Sequence, residues 1–416
     1  MPKQSNPPLA AQTSAPVKEG PLSGIRVLDL TAIVLGPMAT QMLGDYGADV
    51  IKIEPLEGDR MRGTGVTIGP GMSALFLALN RNKRSIALNL KSPEGVAALQ
   101  KLIPTVDVIV HNMRVSAIER LGFGYDSVSK MNPNIVYCAA TGFDQDGPYG
   151  DRPVLDDIIQ AASGLVSLNS LGDNEPEYTP SLIADKTAAM AVVNAVLAAL
   201  VYRGRTGKGQ YVEVPMFETM VTFMMTEHLA GMTYQSFPAK AGYTRLLDGG
   251  RKPTRTADGY MAILPYTGEH WSVFFTIAGR PELIEKYKVY ETRSRSVNVV
   301  KLYAELRPIV LLKTTAEWME ICERLDIPAT PIYALDELPQ HPQLQAVKLF
   351  CTAEHPSQGT ITYLRPSTKF RGTPAAVRAL APELGEHTEI VLREAGFESA
   401  EIDGLESRKA VLIRRH

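Results

Sequence analysis

The sequence predicts an α/β protein: an open parallel, Rossmann-like sheet in a large domain, with a smaller α+β domain set into it. Three observations carry this. Short apolar runs alternate with helical patterns through the first half of the chain, which is the signature of stacked β–α–β units. The pattern changes near Met232 to shorter strands and a hairpin signal. The length of 416 residues, 45% hydrophobic, is enough for one large or two moderate cores.

Taken in order, residues 1–20 are rich in Pro, Ser, Gln and Ala and read as a flexible tail without the apolar run of a secretory signal. Ile25–Leu30 and Val50–Glu54 are the first two strands. Between them Pro37 suits a first helical turn and Gly47 a helix end. Ser85–Leu90, Val106–Val110 and Ile135–Ala140 continue the alternation, with a helix opening at Ser92-Pro93-Glu94. The apolar stretch Ala188–Tyr202 is too short for a bilayer, which needs about 20 residues, and contains Asn194, so a buried helix is expected. Tyr211–Val214 is one more strand, Phe217 starts a helix, Thr256–Tyr266 reads as a strand and hairpin, and Gly359–Leu364 as a late strand. The large domain is expected at 21–225 and 340–416 and the small one at 226–339.

Composition excludes several function classes. Forty-three basic against 45 acidic residues give a net charge of -2, with no global attraction to nucleic acid or an anionic membrane. Cys138, Cys322 and Cys351 lie far apart, so neither a disulfide framework nor a zinc site is indicated and a reducing cytoplasm fits. The turn after the first strand, Thr31 to Met38, has one glycine where a dinucleotide fingerprint needs three. Gly204–Gln210 precedes a strand, not a helix, and lacks the GK[ST] of a P-loop. Ser163 lacks the G-x-S-x-G elbow, and the seven histidines form no metal-ligand pair.

Asp185 stands out because it opens the strongly apolar stretch that follows it. Two readings compete on local chemistry. Asp185 or Thr187 caps the helix, a role worth about 1 kcal/mol. Alternatively, Asp185 is a nucleophilic carboxylate made reactive by desolvation and kept ionised by the helix dipole.

The segment from Pro21 to Pro55 closely resembles the opening of the class III coenzyme A transferases, the formyl-CoA and carnitine-CoA transferase family. The similarity continues through NRNKRSIALNLKSPEG, VDVIVHNMRVSAIERLGFGYD, NPNIVYCAATGFDQDGPYGDRP, IADKTAAMAVVNAVLAAL, RTGKGQYVEVPMFE and APELGEHT. It implies that Asp185 attacks an acyl-CoA thioester and passes through a mixed anhydride and an aspartyl-CoA thioester, with no metal or prosthetic group. It also implies coenzyme A contacts near Arg62, Arg81, Lys83, Arg84, Asn112, Met113 and Arg120, since arginine forks suit phosphate and Met113 an adenine face. Ala32-Ile33-Val34 stands where formyl-CoA transferases have His-Val-Gln, and Leu155 where they have tyrosine, so with Ile33, Val34 and Leu155 around the acyl site an acid larger or less polar than oxalate is expected. Gly249 and Gly250 resemble a glycine loop that covers the intermediate and could supply oxyanion N–H groups. Arg245 and Arg251 are candidates for a distal carboxylate.

Racemases resembling this family use a histidine thirty positions before the aspartate, and position 155 here is Leu155, which lacks a titratable group. A transferase is therefore the leading expectation. A racemase or epimerase, or a non-catalytic CoA-binding protein, are the alternatives. The resemblance further implies an interlocked homodimer.

Overall fold

In the computed structural model the described residues are 20–69, 71–170, 175–236, 240–247 and 251–415. Most of the expected N-terminal tail, and both Gly249 and Gly250, lie outside them. The chain divides into two compact units, one drawn from Met1–Ser170, Glu175–Phe223 and Gln343–His416, the other from Leu171–Asn174 and Met224–Pro342.

The strands in chain order are β1 (Arg26–Leu30), β2 (Asp49–Glu54), β3 (Lys83–Leu88), β4 (Val108–His111), β5 (Val136–Thr141), β6 (Gln210–Pro215), β7 (Thr254–Arg255), β8 (Tyr260–Ile263), β9 (Ala329–Pro331), β10 (Phe350–His355), β11 (Gly359–Leu364) and β12 (Val411–Leu412). The first unit holds a seven-stranded sheet in the order β12-β3-β2-β1-β4-β5-β6. Its pairs are parallel except β12 against β3. The order reverses between β1 and β4, and open α/β sheets bind ligands outside the carboxyl ends of strands at such a switch. β10 and β11 form a separate antiparallel pair.

Burial explains the near-continuous apolar strands. Val27, Leu28, Ile51, Ile86, Val108 and Val136 are all sealed from solvent, as expected of a sheet covered on both faces. Leu99, Leu102, Val391 and Leu392 from flanking helices complete that core. The helix Leu35–Asp45 begins earlier than Pro37 suggested. Its second residue must be glycine, because a Cβ on Gly36 would lie 2.2 Å from the Thr31 side chain.

The helix Ile183–Thr206 extends the expected stretch at both ends. Its 24 residues are long and apolar enough to cross a bilayer. Instead it packs on β5, β6 and the helix Leu35–Asp45, burying Ala184, Ala188, Val192 and Val196. The second unit has its own core of Trp271, Phe274, Leu306 and Trp318 beneath the antiparallel sheet β7-β8-β9.

Candidate active site

The start of the helix Ile183–Thr206 decides between the two local readings of Asp185. Asp185 is the third helical residue, and the capping position belongs to Leu182, whose side chain makes no capping bond. Thr187 instead donates its hydroxyl to the Ile183 carbonyl at 2.7 Å. The orphan backbone N–H of Asp185 is satisfied from a neighbouring helix, Asp156–Ala162, where the Asp156 carboxylate accepts it at 2.9 Å. Asp156 thus performs the capping task. Asp185's own carboxylate accepts no hydrogen bond among the described residues.

Asp156 is itself held. Its second oxygen accepts from Gln160 Nε2 at 2.6 Å, one turn along the same helix. Gln160 also donates to the Ser181 carbonyl at 3.1 Å, and its Oε1 accepts the Thr179 N–H at 2.9 Å. Asp156 and Gln160 are both buried, so this clamp fixes the chain where it enters the helix bearing Asp185. Sequence reading passed over the pair, although Asp and Gln four apart share one helix face.

The electrostatics differ from the expectation that the helix dipole keeps Asp185 ionised. Burial first, then the negative charges of Asp156 and Asp157, push its carboxyl up to about 7. Near neutral pH the group therefore exists as both acid and carboxylate. Its ionised form is desolvated and without a hydrogen-bond donor among the described residues, which favours nucleophilic attack.

At the switch point the loops after β1 and β4 are tied together. Asn112 accepts the Ala32 N–H at 2.9 Å and donates to the Ala32 carbonyl at 2.8 Å. Ile33 has a φ of 75°, a strained conformation for a β-branched residue of the kind that concentrates at functional loops. Its N–H points to Asp59 at 3.4 Å. Val34 is buried, Met113 packs against the first unit's core, and Leu155 is 65% exposed immediately before Asp156.

The expected phosphate-binding cations are mostly occupied. Arg62 makes a two-pronged pair with Glu54 at 2.7 Å for each prong, and its guanidinium lies 3.9 Å from the Phe76 ring. Arg81 forks onto Asp45 at 3.0 and 2.7 Å, and Arg84 onto Asp49 at 2.8 and 2.6 Å. Lys83 is fully buried against Asp29, Asn80 and the Pro37 carbonyl. Burial, only partly offset by Asp29, lowers its ammonium to about 8. An ammonium sealed by three acceptors has no donor left for a phosphate, which corrects the expectation for Lys83. Arg120, exposed at the end of the helix Val115–Arg120, makes no ion pair or hydrogen bond among the described residues.

The remaining candidates are structural by their surroundings. His111 is buried at the end of β4, and burial lowers its imidazole to about 4, so it is neutral. Cys138 is buried, and burial pushes its thiol up to about 12, far from a reactive thiolate. Among the described residues no three His, Cys, Asp or Glu side chains are grouped to hold a metal ion.

Comparisons with known proteins agree with this architecture. Residues 22–388 match the model of CoA-transferase family III. The chain is 32% identical over 392 residues to a probable fatty acyl-CoA transferase, Rv3272, of Mycobacterium tuberculosis, covering 91% of this chain and 99% of the relative. It is 33% identical over 378 residues to succinyl-CoA:glutarate CoA-transferase of Mus musculus, covering 90% and 86% of the two chains. A crystal structure of Rv3272 superposes with a TM-score of 0.78 at 30% identity, over 89% of this chain and 99% of that one. With the sheet order, the family model and relatives matched over nearly their whole length in agreement, the chain belongs to CoA-transferase family III and is a CoA-transferase.

Proposed function

We propose that this enzyme is an acyl-CoA:carboxylate CoA-transferase whose nucleophile is Asp185. The observation that carries the reading is the carboxylate of Asp185 at the head of a buried helix, which accepts no hydrogen bond among the described residues, with the capping role taken by Asp156. The carboxylate attacks the thioester carbonyl, the C–S bond breaks, and CoA leaves as thiolate with a mixed anhydride on Asp185. The thiolate then attacks the aspartyl carbonyl, releasing the donor acid as its carboxylate and leaving an aspartyl-CoA thioester. An acceptor carboxylate reverses these two steps and restores Asp185. Each intermediate is activated, so transfer outruns hydrolysis where water is excluded.

Arg120, with Met113 and Asn112 nearby in sequence, is the best remaining candidate for coenzyme A among the residues expected to bind it. Arg62, Arg81 and Arg84 would first have to leave their carboxylates. Ile33, Val34 and Leu155 supply an apolar acyl environment in this reading, and Gly249 and Gly250 remain proposed oxyanion donors. The relatives' names span a fatty acyl group and a dicarboxylic acid, so an acid larger than oxalate is compatible with both. An interlocked homodimer acting in the cytoplasm completes the proposal. Leu155 supports a transferase over a racemase because it offers no second base.

Incubation with acyl-CoA, then hydroxylamine or borohydride, should convert Asp185 to a hydroxamate or reduced product that mass spectrometry locates. An Asp185→Ala variant should show no label and no transfer. Retained transfer in that variant would sink the mechanism.

A further inference from the structure

The turn that follows β1 is held by a side chain at every backbone polar group from the Thr31 N–H to the Ile33 N–H. Asp29 accepts the Thr31 N–H at 2.9 Å, and the Lys52 ammonium donates to the Thr31 carbonyl at 2.9 Å. Asn112 takes both groups of Ala32, and Asp59 accepts the N–H of Ile33 at 3.4 Å. The positive φ of Ile33 is one that a β-branched residue keeps only where its surroundings over-determine it. Its side chain is fixed as well, packed against the cluster of Met61, Met72 and Phe76.

Two of these anchors form a buried ion pair. Lys52 on β2 and Asp59 just beyond it meet at 3.0 Å, and both are sealed from solvent. One Asp59 oxygen takes the ammonium, and the other accepts the N–H groups of Ile33 and Met61. Burial opposes the charge on Lys52, but Asp29, Asp59 and Glu54 outweigh it and hold its ammonium above the ordinary lysine range. Stability alone gives no reason for such a pair, since apolar groups of similar volume often serve as well or better. What it adds is stiffness, through charge-assisted bonds to the turn's backbone. The turn lies at the carboxyl end of β1, where the sheet order reverses and ligands bind.

We propose that Lys52 and Asp59 are positioning residues for the transfer reaction, which hold the turn from Thr31 to Val34 in the one conformation that fits it to the acyl group of the substrate. The inference rests on the reading that puts Ile33 and Val34 at the acyl group, and it assigns a task to two buried charges that the reading leaves unused. A turn free to relax its strained residue would hold the thioester carbonyl less well for attack, and misplacement of that kind lowers turnover more than it lowers affinity for coenzyme A.

The test uses the full-length protein with acetyl-, succinyl- and octanoyl-CoA as donors and acetate, succinate and octanoate as acceptors. Transfer is read as new thioester by mass spectrometry, and the pair that wild type uses fastest is carried through. Lys52→Met combined with Asp59→Asn removes both charges together, so neither is left buried alone. This double variant should melt close to wild type by circular dichroism. Its kcat should nevertheless fall about tenfold or more, while the Kd for free coenzyme A, by titration calorimetry, stays within about twofold. Asp59→Asn alone keeps Lys52 on Thr31 and an oxygen for the Ile33 N–H, so its kcat should fall only about threefold. A wild-type kcat in the folded double variant overturns the proposal, and so does an equal loss of coenzyme A affinity, which would mark general damage to the unit. Should the double variant fail to fold, Asp59→Asn decides, and a wild-type kcat there is equally fatal. Val34→Ala tests the underlying reading separately: it should change the preference among the three donors, and an unchanged preference would remove the turn from the acyl site. A changed preference beside a wild-type kcat in the double variant sinks the positioning role alone.

Discussion

At Asp185 the fold holds a carboxyl group whose ionised form it disfavours. Its folded pKa of about 7 lies above the ordinary aspartate value of 3.8, so between those values the folded chain binds the proton more tightly than the unfolded chain. Stability from this group is therefore full below the unfolded pKa and falls as pH rises through the folded one. Asp185→Asn removes the penalty. At pH 8 the variant should unfold at a higher temperature than wild type, by the equivalent of about 1–4 kcal/mol after allowing for partial exposure, and the gain should vanish near pH 4. Thermal scans across that range decide it, and a variant less stable at pH 8 would show that burial is not what raises the group. The same pKa predicts that labelling of wild-type Asp185 by acyl-CoA rises with pH through about 7.

Between elements, the clamp of Asp156 and Gln160 joins two helices and sets the charge felt by Asp185. Asp156→Asn keeps an oxygen for the Asp185 N–H but removes a negative charge. Its loss of the Gln160 bond should cost about 1 kcal/mol, and the pH midpoint of Asp185 labelling should move down. An unmoved midpoint in a folded variant would remove Asp156 from the electrostatics. This clamp was not legible in the sequence because it depends on packing between segments 29 residues apart. The strands were legible, since β1 through β5 carry apolar runs bounded by turn residues, and all six from β1 to β6 begin and end within two residues of the expected positions. The pairing of the cations at 81–84 was illegible for a related reason: a linear sequence shows Arg81, Lys83 and Arg84 but not Asp45, Asp29 and Asp49, which fold back to pair with them. β12, two residues long and antiparallel to β3, carries too little periodicity to be read at all.

Over the whole molecule, the two units have separate cores, and both of the chain's tryptophans, Trp271 and Trp318, belong to that of the second. Tryptophan fluorescence thus reports the second unit, while far-UV circular dichroism reports helices and strands of both. The first unit has a distinctive weak point in Asp29, fully buried with Lys83 and Lys52. Burial opposes its charge, yet the two ammonium groups, with hydroxyl bonds from Thr31 and Thr40, hold its carboxyl below the ordinary range. That contribution is present above the unfolded pKa and is lost as pH falls through the lower folded value. Asp29→Ala leaves the buried Lys83 ammonium without its carboxylate, a change of about 3–5 kcal/mol, while Lys52 keeps its pair with Asp59. In urea, the circular dichroism transition of this variant should begin at clearly lower denaturant, while the tryptophan transition keeps its wild-type midpoint, because the second core is complete without Asp29. If both probes instead shift together by the same amount, the chain unfolds as one cooperative body, and the separation of its cores has no thermodynamic counterpart.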